Sequence, residues 1–99
     1  MLLIPDSLVK TIPTLYGTEY SKDPLVRCKF FLPGTGWTWY VTEFDGNDMF
    51  FGYVVGDFPE LGYFSLKELE NVRGPLGLRV ERDLYFRPQP LSRIKSGQR

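Results

Sequence analysis

Residues 37 to 56, WTWYVTEFDGNDMFFGYVVG, hold two runs rich in aromatic and β-branched residues on either side of Asp45-Gly46-Asn47-Asp48. Runs of that composition favour a pleated backbone, and an Asp-Gly or Gly-Asn pair supplies the positive φ angles that a two-residue hairpin loop needs. The chain is therefore expected to build a β-hairpin here, with strands over 37–45 and 49–57. Sliding the loop between its two settings shifts the pairing by two residues and leaves side-chain parity unchanged. One face then carries Thr38, Tyr40, Thr42 and Phe44 with Met49, Phe51, Tyr53 and Val55. The other carries Trp37, Trp39, Val41 and Glu43 with Phe50, Gly52, Val54 and Gly56. Small residues opposite the indoles leave room for them to lie across the next strand, so the tryptophan face reads as core. The Thr/Tyr/Phe face suits a half-wet surface, and Tyr40, Phe51 and Tyr53 are its candidate partner-binding platform. A three-residue loop with a bulge would break this parity.

The rest of the chain supplies elements to pack against the hairpin. Pro5-Asp6-Ser7 before Leu8, Val9 and Ile12 predicts a short helix with Asp6 or Ser7 as N-cap, ended by Pro13. LVRCKFFL (25–32) predicts a strand that stops at the PGTG turn, 33–36. Ser65 and Glu68 have the spacing of a capping box for a helix through residue 72, which Gly74-Pro75 terminates. LRVERDLYF (78–86) reads as a final strand. The expected architecture is α+β: an antiparallel sheet of about four strands, a meander, packed with two short helices. One domain over 1–86 is followed by a basic, flexible tail over 87–99.

Ninety-nine residues make about one small domain, and an aromatic content of 16% gives it a large buried area for its size. Twelve basic and twelve acidic residues cancel, so no overall field draws in nucleic acid or an anionic membrane. The tail is the exception, carrying Arg87, Arg93, Lys95 and Arg99 with no acid. A single cysteine, Cys28, and no histidine exclude an internal disulfide, the usual Cys/His zinc sites and His-dependent triads. No membrane span, no metal and no cofactor are expected, and a cytoplasmic, reducing setting fits.

Several constellations suggest chemistry and are weighed against plainer readings. Phe51-Gly52-Tyr53-Val54 matches the centre of the RNA-recognition octamer, but Met49, Phe50 and Gly56 depart from its flanks. Glu43, Asp45, Asp48, Asp57 and Glu60 crowd the hairpin ends, where turn chemistry accounts for Asp45 and Asp48 and the spacing is too short for a calcium loop. Cys28, in a strand beside Val26 and Phe30, reads as an inert buried thiol. In Glu81-Arg82-Asp83 the two acids share one strand face and Arg82 takes the other, offering an ion pair at an interface. Gly34-Thr35-Gly36 precedes a strand, the wrong context for a phosphate loop.

The strings WTWY-x-TE-F-D, FFGYV, ELGYFSL-x-ELE and ERDLYF-x-P, spread over roughly residues 8 to 91, resemble a family of small bacterial proteins known only as a domain of unknown function. Its members occur largely on plasmids, integrative elements and phages. The resemblance implies an accessory protein of mobile genetic elements, of a kind that binds host or element proteins, including components of defence systems. It implies no activity, and its motifs point to Glu43, Glu60, Glu81, Arg82 and Asp83. Together these readings give a non-enzymatic protein-interaction module using Tyr40, Phe51, Tyr53, Glu81, Arg82 and Asp83. The alternative is a single-strand nucleic-acid binder that stacks bases on the sheet and uses Arg87, Arg93, Lys95 and Arg99. A carboxylate-dependent enzyme is the third reading, and it would need an acidic cleft.

Overall fold

The hairpin forms, and the chain continues it in both directions. The structure, a computed structural model, describes residues 2–97. Strands β1 (Leu25–Val26), β2 (Cys28–Phe31), β3 (Thr38–Phe44), β4 (Met49–Val55), β5 (Pro59–Ser65), β6 (Glu81–Arg82) and β7 (Gln89–Pro90) alternate with helices α1 (Asp6–Val9), α2 (Leu66–Asn71) and α3 (Leu91–Ser96). The main sheet is antiparallel in the order β5-β4-β3-β2-β6, and β1 pairs with β7 in a separate ribbon. The class is α+β as expected, with five strands in the main sheet rather than four and three helices rather than two.

β5 was not expected because Pro59, Glu60 and Gly62 are poor strand residues. At an edge those costs fall away, since proline at the first position of an edge strand forfeits no ladder bond. It pairs with β4 along its whole length, from Met49↔Ser65 to Val55↔Pro59. The expected strand over 78–86 is shorter than predicted. Glu81 and Arg82 pair with Phe31 and Phe30 of the four-residue β2, the Asp83 amide donates to the Lys29 carbonyl at 2.9 Å, and Arg79 makes an isolated bridge to Arg73.

The hairpin loop is longer than expected, and a bulge compensates. Phe44 faces Phe50, and the Asp45 amide donates to the Met49 carbonyl at 2.9 Å, so residues 46–48 form the loop. Asp45 Oδ1 accepts the amides of Asn47, Asp48 and Met49 at 2.8, 2.8 and 3.1 Å, closing it from inside. Between Val41↔Gly52 and Glu43↔Phe51 the register slips by one residue at Thr42. The main chain crowds there: a Cβ on Gly52 would lie 1.9 Å from the Tyr40 carbonyl oxygen, so only glycine fits. The face assignment holds from Thr38 to Val41 and inverts beyond. Phe44 joins the tryptophan face, and Glu43 moves to the tyrosine face.

Both faces of the sheet are covered. On the tryptophan face Trp39, Val41, Phe44, Phe50 and Phe64 pack with Phe30, Leu32 and Cys28 under Leu3, Ile4, Ile12, Leu69 and Val80. Phe50 is fully buried, stacked on Phe44 and Phe64 at 4.2 and 5.2 Å with Phe30 edge-on at 5.5 Å. Trp37 stacks on Trp39 at 5.8 Å with its indole over Gly56, where a Cβ would come within 2.2 Å of the ring. The indole does lie across the neighbouring strand, although Trp37 keeps 39% exposure.

The tyrosine face is closed by the end of the chain. Tyr40 and Tyr53 pack with Val26, Leu91 and Ile94, and Val55 and Phe86 lie against them. The segment expected as a flexible basic tail therefore contains β7 and α3, which dock. Its amphipathic Leu91 and Ile94 are three residues apart, one helical face, and both are buried. Two carboxylates from elsewhere in the chain fasten the helix starts. Asp23 accepts the Ser92 amide and hydroxyl at 2.8 and 2.6 Å, and Asp48 accepts the Lys67 amide and the Ser65 hydroxyl at 2.8 Å each. Ser65 in turn accepts the Glu68 amide at 3.3 Å, the serine half of the expected capping box. α1 has no side-chain cap, and Pro5 takes the N-cap position expected for Asp6 or Ser7.

Candidate functional site

The expected aromatic platform is divided. Tyr40 and Tyr53 are each 7% exposed, their rings 6.2 Å apart, with Phe86 6.3 Å from Tyr40. They are core residues of the second face rather than an open surface. The tail cation Lys95 lies 5.5 Å from the Tyr53 ring centroid, and Lys29 lies 5.7 Å from that of Tyr40. Of the other tail cations, Arg87 and Arg93 are exposed, and Arg99 lies outside the described residues. A nucleic-acid strand has no bare Tyr40 or Tyr53 ring to stack on.

Phe51, the third member of the platform, remains accessible, and the inverted register gives it new neighbours. It packs edge-on against Tyr63 of β5 at 4.9 Å and lines a cleft of about 330 Å³ with Tyr16, Glu43, Leu61 and Lys95. The floor of this cleft is held by Glu43, a residue only 4% exposed. Oε1 accepts the Tyr16 amide at 2.8 Å, and Oε2 accepts the Thr18 amide at 3.0 Å and the Thr18 hydroxyl. A buried carboxylate saturated in this way is an anchor for the 14–20 loop. It holds Tyr16 at φ 67°, a conformation costly for an aromatic residue, and so sets that ring at the rim of the cleft. The Tyr16 side chain, then desolvation, then the charges of Glu43 and Glu19 hold the Tyr63 phenol above its ordinary value of 10.0.

The outer wall of the cleft is the free edge of the sheet. The Leu66 amide donates to the Asp48 carbonyl at 2.7 Å, which sets the alternation along β5. Residues 60, 62 and 64 turn their backbone groups to β4, and Leu61 and Tyr63 turn theirs outward. Leu61 and Tyr63 are 49% and 52% exposed, with Phe58 at 80% just before the strand. Sequence reasoning missed Tyr16, Leu61 and Tyr63; the alternation in PELGYFS was the available signal, obscured by Pro59.

The Glu81-Arg82-Asp83 triplet does not pair with itself. Glu81 is exposed. Arg82 donates to the Leu2 and Leu3 carbonyls at 3.2 and 2.5 Å, tying the start of the chain to β6. Asp83 accepts the Tyr85 amide at 2.9 Å and lies 3.8 Å from the Lys29 ammonium. Cys28 is buried in the core beside Phe30, while Val26 faces the opposite side, because the chain changes sheets at Arg27. Desolvation pushes the Cys28 thiol up to about 12 against the pull of Arg82, so it is a poor nucleophile. Asp57 and Glu60 are exposed near the free edge. Among the described residues, no three His, Cys, Asp or Glu side chains gather as metal ligands would, and no helix is long and apolar enough to cross a membrane.

These features define a small α+β domain with an open five-stranded sheet, both faces covered and the β5 edge bare. The chain belongs to the family described as "Protein of unknown function (DUF2958)", whose model matches residues 6–95. No curated protein and no solved structure matches it.

Proposed function

We propose that the protein is a non-enzymatic protein-interaction module whose partner adds an extended strand to β5. The observation that carries this is the edge itself. Leu61 and Tyr63 present outward backbone donors and acceptors, and their half-exposed side chains lead into the cleft with Phe51 and Tyr16. Main-chain bonds of this kind give affinity, and the alternate side chains give selectivity. Natural sheets usually blunt such an edge with proline or charge; here Pro59 and Glu60 stand at its start, and the stretch from Leu61 to Tyr63 beyond them carries neither. The chain's resemblance to proteins of mobile elements suggests an accessory role in the cytoplasm, with components of host defence as the class of target.

Leu61→Pro tests the mode of binding. It deletes an outward amide that bonds to no other strand, so the fold is expected to survive while capture of a partner from lysate is lost. Capture should also persist after nuclease treatment. Undiminished capture by a folded Leu61→Pro protein would sink strand addition, and nuclease-sensitive capture would favour the nucleic-acid reading instead.

A further inference from the structure

On the other side of the chain's sheet change lies a second cleft, of about 350 Å³, that no part of the proposed interaction uses. Arg27 and Arg82 both line it, with Ser7 from α1 and Asp83 from the segment after β6. Arg27 is half-buried, and its Nε is a buried donor with no acceptor. Its position is fixed by its neighbours. The Arg27 amide donates to the Val41 carbonyl at 2.7 Å, and Val26 and Cys28 on either side are buried in opposite faces of the sheet. The Arg27 main chain is therefore held in place, and its side chain starts from a fixed point on the cleft wall.

A desolvated donor without an acceptor is costly, and native proteins seldom tolerate one without use. The acid in this cleft does not answer it. Asp83 is occupied by the Tyr85 amide and by Lys29. Arg82 spends one nitrogen on the Leu2 and Leu3 carbonyls and retains its other donors. Two arginines and Ser7 thus line one cleft that holds more donors than its own acid accepts. Planar guanidinium forks match oxyanions, and this many donors exceeds what the two oxygens of a carboxylate can use.

We infer that this cleft binds a phosphoryl group, free or carried on a small molecule, with Arg27 and Arg82 as its charged ligands and Ser7 as a further donor. The site is separate from the β5 edge and stands or falls independently of the strand-addition reading.

The test is a titration of the whole chain followed by NMR of the arginine Nε–H signals at constant ionic strength. Inorganic phosphate, a nucleoside 5′-monophosphate and acetate are the three probes. Phosphate or the monophosphate should saturate a shift at Arg27 and raise the melting temperature, while acetate should not. Tighter binding of the monophosphate assigns a carried phosphoryl group, and equal binding assigns the free anion. Arg27→Gln should weaken binding at least about tenfold, with circular dichroism confirming the fold. Arg27→Lys keeps the charge and loses the fork, so it serves if the glutamine variant unfolds, and it too should bind more weakly. No saturable shift with either phosphate probe, equal binding of acetate, or binding unchanged in Arg27→Lys would each overturn the assignment.

Discussion

The two faces of the five-stranded sheet carry unequal apolar loads, and they are covered by different parts of the chain. The tryptophan face is closed mainly by the amino-terminal segment and by α2, which follows β5 directly and is capped by its own Ser65. The tyrosine face waits for Leu91 and Ile94, held by Asp23 and by the β1–β7 pairing of Leu25 with Pro90. The first face is secured by interdigitated rings, the second by a short helix of six residues and its latch. The smaller core is therefore also the one with the weaker hold.

Substitutions should expose that inequality. Phe50→Ala removes the ring that three other phenylalanines touch and should cost about 3–5 kcal/mol in urea denaturation. A loss under about 1 kcal/mol would show that this face is loosely packed. Ile94→Ala on the other face should cost less, about 2 kcal/mol, because a short helix can settle into the space. Hydrogen exchange should then show α3 opening before the sheet, and uniform opening would erase the distinction between the faces.

The smallest effect concerns acid. Hydrogen bonds from the Ser92 hydroxyl and amide hold the Asp23 carboxyl below its ordinary 3.8. A depressed folded value contributes stability above the unfolded value of about 3.9, lost as pH falls through the lower folded one. Asp23→Asn should flatten this part of the acid limb and leave the share of Asp45, which its loop amides also hold low. An acid limb identical to wild type would mean that the latch does not tether α3.

What could be read from the sequence follows the same division. The hairpin, the Ser65 cap and the packing of Trp39 with Phe50 depend on residues close together, and local pattern carries them. The parity of Phe44 and Glu43 was lost at Thr42, because a bulge is a main-chain event forced by Gly52 against Tyr40 and leaves no periodic trace. The burial of Tyr40 and Tyr53 was illegible for another reason. Their cover comes from residues 91–94, and the carboxylate that docks it lies at position 23, so no window of sequence contains the contact. β5 was hidden by breakers that are tolerated only at an edge. In the candidate site, Phe51 was legible and its neighbours Tyr16 and Tyr63 were not, since Glu43 had to change faces before it could hold the loop that brings them together.

The β1–β7 ribbon also orders events in time. During synthesis the hairpin, β5 and α2 are all made by residue 71, whereas Leu25 cannot meet Pro90 until some twenty further residues have been added. At about 5–20 residues per second, synthesis of that span takes on the order of a second or more, far longer than the hairpin needs to form. A nascent chain therefore passes through an interval in which Tyr40 and Tyr53 are bare, and a chaperone or a folding catalyst would meet this protein on its tyrosine side.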